Sequence, residues 1–257
     1  MLLALDVGNS NLVIGVYEGK TLRGHWRLRT EIERTADEYG LQFRGLMAAS
    51  SLPLEAVEAV VIASVVPRMA PTLAELSRRT LGQEPWVVGD NLQPRLPIRY
   101  EPPSDVGPDR LVDAVAAIRR YGTPAIVVDL GTATTFNAIS REGEYRGGAI
   151  APGVGTSLEA LFQAAARLRW FDLTRPAQAI GGNTEEAMRS GAFHGFVSMV
   201  EGMVARFKAE LGSDAKVIAT GGWSELIGGA TPMVDHVDPL LTLEGLRLVW
   251  DERSSHP

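Results

Sequence analysis

The chain contains no cysteine among its 257 residues. That absence excludes disulfides, thiolate zinc sites and a cysteine nucleophile, and it suits a reducing cytoplasm, the location expected here. Histidine is nearly as scarce: His25, His194, His236 and His256 are the only four, and no two stand at metal-ligand spacing. A histidine-built metal centre is therefore not expected. No uninterrupted apolar run is long enough to cross a bilayer. The N-terminus, Met1-Leu2-Leu3-Ala4-Leu5-Asp6, has no basic stretch and meets an acid too early for a signal peptide. Basic residues fall short of acidic ones, leaving a formal net charge of −6. A protein of that sign has no general attraction for nucleic acid or an acidic membrane surface, and neither is expected as a partner. The full Gly-x-x-x-x-Gly-Lys-Ser/Thr phosphate loop is also missing.

What is present is an ordinary globular share of hydrophobic residues, 45%, arranged in a repeating order. Leu2–Leu5 reads as a buried strand, Leu12–Tyr17 as the next and the alternating 22–29 segment as a third. Thr35-Ala36-Asp37-Glu38 is a capping box that opens a helix to about Ala48. A strand over 57–63, a helix over 70–81 ending at Gly82 and a short strand at 86–88 follow. After a proline-rich loop, Pro108 starts a helix that Gly122 ends. The order then repeats: strands at 125–130, 134–140 and 145–150, a helix from a capping box at Thr156-Ser157-Leu158-Glu159 to about Leu168, a long helix capped by Asn183 or Thr184, and a strand at 216–220. A last short helix covers 240–250, before a polar tail, 251–257, expected to fray. Asp-x-Gly at residues 6–8 and again at 129–131 closes the first strand of each half. The repeat predicts an α/β protein made of two duplicated domains, residues 1–117 and 118–257. Such a pair, with a nucleotide in the cleft between its halves, is similar to the ribonuclease H-like, actin/hexokinase/Hsp70-type ATPases.

Asp6-Val7-Gly8-Asn9-Ser10-Asn11 can present backbone N–H groups at a tight turn, where glycine lets phosphate oxygens come close. Asp6 at the strand end can hold the water shell of Mg²⁺. Such residues also favour plain turns; the second copy, Asp129-Leu130-Gly131-Thr132, weighs against that simpler account. Asp129 is a second carboxylate, with the Thr132 and Thr134 hydroxyls expected beside it. Asp109 falls in the first turn of the helix after Pro108, where the helix N-terminus favours its charged form. An ionised carboxylate there can accept a proton from an attacking alcohol, and Arg110 offers a planar fork for carboxylate or phosphate. Gly147-Gly148 to Gly155-Thr156 forms a glycine-rich loop without dinucleotide spacing. Gly221-Gly222 could admit part of a nucleotide or could simply turn the chain. The long helix after Asn183 has apolar residues at Met188, Phe196, Val200, Met203, Phe207 and Leu211, more than one small domain needs, so it is read as core plus a dimer face.

Taken together, these motifs resemble the type III pantothenate kinase family over nearly the whole chain. Asp6 to Asn11 resembles the family's Asp-x-Gly-Asn-Thr-Asn turn, with Ser10 in place of threonine; Gly107-Pro108-Asp109-Arg110 resembles its Gly-x-Asp-Arg, with Pro108 where alanine is commoner; Asp129 to Thr135 resembles its second Asp-x-Gly-Thr motif. Thr35 to Tyr39, Gly148 to Gly155 and Asn183-Thr184 are similar to further family segments. The resemblance implies transfer of phosphate from ATP, with Mg²⁺, to the primary hydroxyl of pantothenate, giving 4′-phosphopantothenate for coenzyme A synthesis. It implies an ATP site at Asp6, Val7, Gly8, Asn9, Ser10, Asn11, Leu12 and Val13 with Thr132, and Asp109 as proton acceptor. Pantothenate would meet Tyr100, Gly107, Pro108, Asp109 and Arg110, together with Thr184 from the partner of a homodimer whose active site lies at the subunit interface. Asp129 would hold a monovalent cation, K⁺ or NH₄⁺. Two rivals remain. A different kinase or an exopolyphosphatase of the same superfamily would keep both Asp-x-Gly turns without needing Gly107 to Arg110. A regulatory protein would not need Asp6, Asp109 and Asp129.

Overall fold

The computed structural model describes residues 1–165 and 170–253. Three antiparallel strands, β1 (Leu2–Val7), β2 (Asn11–Glu18) and β3 (Thr21–Arg29), open the chain. Gly19 and Lys20 turn β2 into β3, with Gly19 at φ +57. β4 (Ala59–Ser64) joins β1 in parallel and β5 (Pro85–Val87) joins β4, giving the order β3-β2-β1-β4-β5. β1 and β4 are almost wholly buried, as strands covered on both faces are, whereas β3 alternates between exposed and half-buried. α1 (Ala36–Ala49) starts on the expected box: Glu38 N donates to Thr35 Oγ1 at 3.3 Å and Thr35 N to Glu38 Oε2 at 2.8 Å. Its Tyr39, Phe43 and Met47, one turn apart, are buried in the core with Leu3, Leu5 and Ile62. The helix expected over 70–81 is split. α2 (Ala70–Leu76) widens into a π-helical turn, Ser77–Leu81, which brings Thr80 against Gly40, where a Cβ would lie 2.7 Å from its hydroxyl. α3 (Pro108–Tyr121) begins at the proline and ends before Gly122, at φ +87.

The second sheet repeats the first. β6 (Ala125–Leu130), β7 (Ala133–Ile139), β8 (Tyr145–Pro152), β9 (Lys216–Thr220) and the two-residue β10 (His236–Val237) lie in the order β8-β7-β6-β9-β10. β10 is the counterpart of β5 and has no signal in the sequence. The repeat extends to an irregularity. Register slips between Val16 and Tyr17 on β2 and between Ala138 and Ile139 on β7, the same step of each half, leaving Arg23 and Arg146 as the extra residues. Two helices, α4 (Val154–Ala164) and α5 (Thr184–Leu211), follow β8. Phe193, Val197, Val200 and Val204 of α5 are buried with Ile126, Val128 and Phe136; Met188, Phe196, Met203, Phe207 and Leu211 pack at the edge of this same core. The α4 end expected near Leu168 and the tail beyond Arg253 lie outside the described residues.

The chain forms two compact units. One comprises Met1–Leu96, Glu101–Ala116 and the segment from Thr242; the other comprises Pro97–Tyr100 and Ala117–Leu241. This differs from a single division at 117/118 because the last helix, α6 (Leu241–Arg253), belongs for most of its length to the first unit. Gly245 allows that packing, since a Cβ there would lie 2.1 Å from the Val112 carbonyl oxygen. Leu243 fills the space over Gly15. No helix among the described residues is long and apolar enough to cross a membrane.

Candidate active site

The first Asp-x-Gly sequence is a hairpin turn. Asp6, half-buried at the end of β1, lies between Val13 on β2 and Ala63 on β4. Val7 pairs with Leu12, and Gly8 N closes the four-residue turn by donating to Asn11 O at 2.9 Å. Asn9, Ser10 and Asn11 are exposed, while the Val7 and Leu12 side chains are buried in the core. Only backbone at those two positions can therefore serve a ligand. Thr30, which the sequence reading does not single out, pins the turn: its N donates to Ser10 O at 3.0 Å and its hydroxyl to Gly8 O at 2.7 Å. Its place follows from strand register, for which a local sequence holds no signal.

The second turn is one residue shorter. Asp129 pairs with Thr135 and Leu130 with Thr134, leaving Gly131, Thr132 and Ala133 to turn. The parity puts Thr135, and not the expected Thr134, beside Asp129. Thr134 points to the other face, its buried hydroxyl oxygen without a hydrogen-bond partner. Protein backbone packs around this turn. The Thr132 carbonyl accepts from Gly153 N at 3.1 Å and from Thr156 Oγ1 at 2.7 Å. Thr156 therefore does not cap α4, whose N-cap is Gly153 with no side-chain cap. A Cβ on Gly153 would lie 2.3 Å from Thr132 O and 2.4 Å from Gly131 O. Gly221, at φ +88, leaves the space into which Asp129 Oδ1 projects; a Cβ there would lie 2.3 Å from that oxygen. A Cβ on Gly131 would lie 3.4 Å from it. The Gly221 turn thus makes room for a carboxylate. The Thr132 side chain stays exposed.

Asp109 sits in the first turn of α3, and its Oδ1 accepts from Arg110 N at 2.8 Å. The carboxylate folds back over Gly107, where a Cβ would lie 2.4 Å from Oδ1. Burial pushes the Asp109 carboxyl above the ordinary aspartate range, and the Arg110 N–H and charge only partly offset it. The helix N-terminus, expected to favour the charged form, does not prevail. A carboxylate with raised proton affinity is a stronger base than a solvated one. Pro108 occupies the first helical position, and Arg110 is buried at 8% exposure.

Tyr100 belongs to the other unit. Its ring lies over Gly147, where a Cβ would be 3.1 Å from Cδ2. Thr184 is the exposed first residue of α5; Asn183 provides the cap, its Oδ1 accepting from Glu186 N at 3.0 Å. Glu186 Oε2 accepts in turn from Gly182 N at 2.8 Å.

These residues fit a nucleotide with a hard cation. Mg²⁺ commonly keeps its waters and takes one or two carboxylates plus substrate phosphates, a demand Asp6 can meet. Among the described residues no group of three or more acidic or histidine side chains could hold a metal.

The profile of the type III pantothenate kinase family matches residues 2–206. A type III pantothenate kinase from Moorella thermoacetica is 50% identical over 99% of this chain and 100% of its own length, and one from Brevibacillus brevis 46% identical over the same shares. Among solved structures, a Campylobacter jejuni protein named for the Baf family of transcriptional activators superposes with a TM-score of 0.62 at 19% identity, over 99% of this chain and 100% of that one. A Sinorhizobium meliloti protein named as a 2-dehydro-3-deoxygalactonokinase gives 0.58 at 13%, over 100% and 98%. At such identities these two show the fold alone: duplicated α/β domains of the actin-like ATPase and sugar-kinase type.

Proposed function

The chain belongs to the type III pantothenate kinase family, and from that premise we propose how its residues divide the work of phosphorylating pantothenate with ATP, a step of coenzyme A synthesis. Asp109 accepts the proton of the primary hydroxyl as that oxygen attacks the γ-phosphorus. The new O–P bond forms, the bond from the γ-phosphorus to the β,γ-bridging oxygen breaks, and ADP leaves. The observation carrying this role is the half-buried carboxylate over Gly107, its proton affinity raised by desolvation. Phosphoryl transfer asks little covalent chemistry of a protein, so placing the hydroxyl is the larger part of the task.

The turn from Asp6 to Val13 holds the ATP phosphates through backbone amides and the exposed Asn9, Ser10 and Asn11. Asp6 orders the waters of Mg²⁺, which neutralises charge on the phosphates when bound. The Thr132 hydroxyl contacts ATP, and Asp129, its carboxylate seated against Gly131 and Gly221, holds K⁺ or NH₄⁺. Tyr100, Gly107, Pro108 and Arg110 receive pantothenate. Thr184 reaches it from the partner of a homodimer. An exposed line of small residues on α5, Gly191, Gly195 and Ser198, supports close approach of a second helix there. Ordinary biosynthetic service in the cytoplasm is consistent with the absence of cysteine.

ADP release from ATP and Mg²⁺, with and without pantothenate, in sodium or potassium buffer, tests this reading, with mass spectrometry identifying the product. Asp109→Asn is expected to lower kcat about 10²–10⁴-fold, the usual worth of a positioned base. Wild-type turnover in that variant would remove Asp109 from the mechanism.

A further inference from the structure

One face of the second unit's sheet carries a buried string of polar side chains. Tyr145, at 0% exposure, donates its phenol proton to Asn137 Oδ1 at 3.0 Å. That bond fixes which way the Asn137 amide points. Asn137, also at 0%, then donates from Nδ2 to Thr135 Oγ1 at 3.2 Å. Having accepted there, the Thr135 hydroxyl has its own proton to give. Thr135 stands directly opposite Asp129 in the antiparallel ladder, where Cβ atoms are about 4.5–5.5 Å apart and side chains share a face. Both bonds run the same way, from phenol to amide to hydroxyl, and the register sets that hydroxyl opposite the carboxylate.

The string exists because of the register step in β7 and β8. In unbroken register residue 146 would face Ile139; the extra residue puts Tyr145 there instead. An arginine would otherwise point into this buried face, so the bulge re-aims a side chain, as bulges commonly do. Tyr145 is also tied to a second place. Its N donates to Pro97 O at 2.8 Å and its carbonyl accepts from Arg99 N at 2.8 Å, while Arg99 pairs with Glu144 at 2.7 Å. The segment so held, Pro97–Tyr100, lays the Tyr100 ring on Gly147.

We propose that Tyr145, Asn137 and Thr135 form a positioning string that orients the Asp129 carboxylate for its cation, anchored on the residue whose backbone carries Tyr100. None of the three touches substrate in this scheme. They act through Asp129, as partners behind a metal ligand do, and loss of such partners typically costs 10–100-fold in metal affinity or activity. The inference rests on the reading of Asp129 as the ligand of a monovalent cation.

The test compares wild type with Thr135→Val, Thr135→Ser, Tyr145→Phe and Asp129→Asn. Two quantities are read: the K⁺ concentration giving half-maximal activity, and the rise in Tm on adding KCl relative to choline chloride at equal ionic strength. Thr135→Val is expected to raise the half-activating K⁺ concentration about tenfold and to shrink the Tm rise, while Thr135→Ser keeps both at wild-type values. Tyr145→Phe preserves both backbone bonds, so it should weaken the K⁺ response while leaving KM for pantothenate unchanged; it carries the test alone if Thr135→Val does not fold. A lower basal Tm with a wild-type K⁺ response in Thr135→Val or Tyr145→Phe, beside a lost response in Asp129→Asn, would overturn the string and leave the role of Asp129 standing. A K⁺ response in Asp129→Asn equal to wild type would overturn the role itself.

Discussion

The two hairpin turns occupy the same place in two copies of one sheet, and they differ by a single residue. In the first, four residues span β1 and β2; in the second, three span β6 and β7. Both are braced by the residue after the third strand, whose N–H donates to the turn: Thr30 to Ser10 O at 3.0 Å, Gly153 to Thr132 O at 3.1 Å. The wider turn has room for a threonine, which adds a second bond to Gly8 O. The tighter one has no room for any side chain, and backbone fills the space. One turn is left open to solvent with Asn9, Ser10 and Asn11 on its rim; the other is packed around a carboxylate. A duplicated element has thus become an open, polar turn in one half and a seat for Asp129 in the other. The neighbouring glycines separate the two roles, and the shared Asp-x-Gly does not.

The largest effect should come from putting a methyl where the second turn allows none. Gly221→Ala meets both a φ of +88 and Asp129 Oδ1 at 2.3 Å. It is expected to cost about 1–3 kcal/mol of stability from strain of this kind, read as a lower denaturant midpoint, together with loss of K⁺ activation. Gly153→Ala should fall in the same range of about 1–3 kcal/mol through overpacking against Thr132. If both alanines are tolerated with wild-type kinetics, the claim that backbone closes the second turn is wrong.

The first turn should respond more gently. Thr30→Val keeps the shape and deletes the bond to Gly8 O, at an expected cost of about 0.5–1.5 kcal/mol. KM for ATP should rise while KM for pantothenate holds. Equal rises in both would show that Thr30 supports the fold in general and not this turn.

The smallest effect concerns the carboxylate outside both hairpins. Asp109, like Asp129, is seated over a glycine, but burial raises its proton affinity. A group whose folded pKa is raised favours the fold when protonated, and that contribution is lost as pH rises through the folded value. At neutral pH the charged form of Asp109 therefore weighs against folding. Asp109→Asn should raise Tm at pH 7, and the gain should fade as pH falls through the folded value toward the ordinary aspartate range. A Tm that drops at pH 7 would mean that the bond from Arg110 N outweighs burial.

Much of the fold could be read from local patterns. Thr35 and Glu38 cap α1 as their spacing requires, Pro108 starts α3, and the strands before each Asp-x-Gly turn stand where their apolar runs place them. The misses share one cause. Thr156 looks like a helix cap in sequence but spends its hydroxyl on Thr132 O, 24 residues back. Thr134 looks adjacent to Asp129, yet a three-residue turn gives that place to Thr135. His236-Val237 carries no strand signal and is a strand only because β9 pairs with it.

The sequence by itself determined the duplication, the three aspartates and the glycines around them, because apolar periodicity, capping spacing and turn chemistry act over a few residues. Only the tertiary structure decided which glycine shields which carboxylate, which hydroxyl faces Asp129, and that burial overrides the helix end at Asp109. Those outcomes depend on turn length, strand register and desolvation. Each is set by residues far apart in the chain, so no short stretch of sequence contains them.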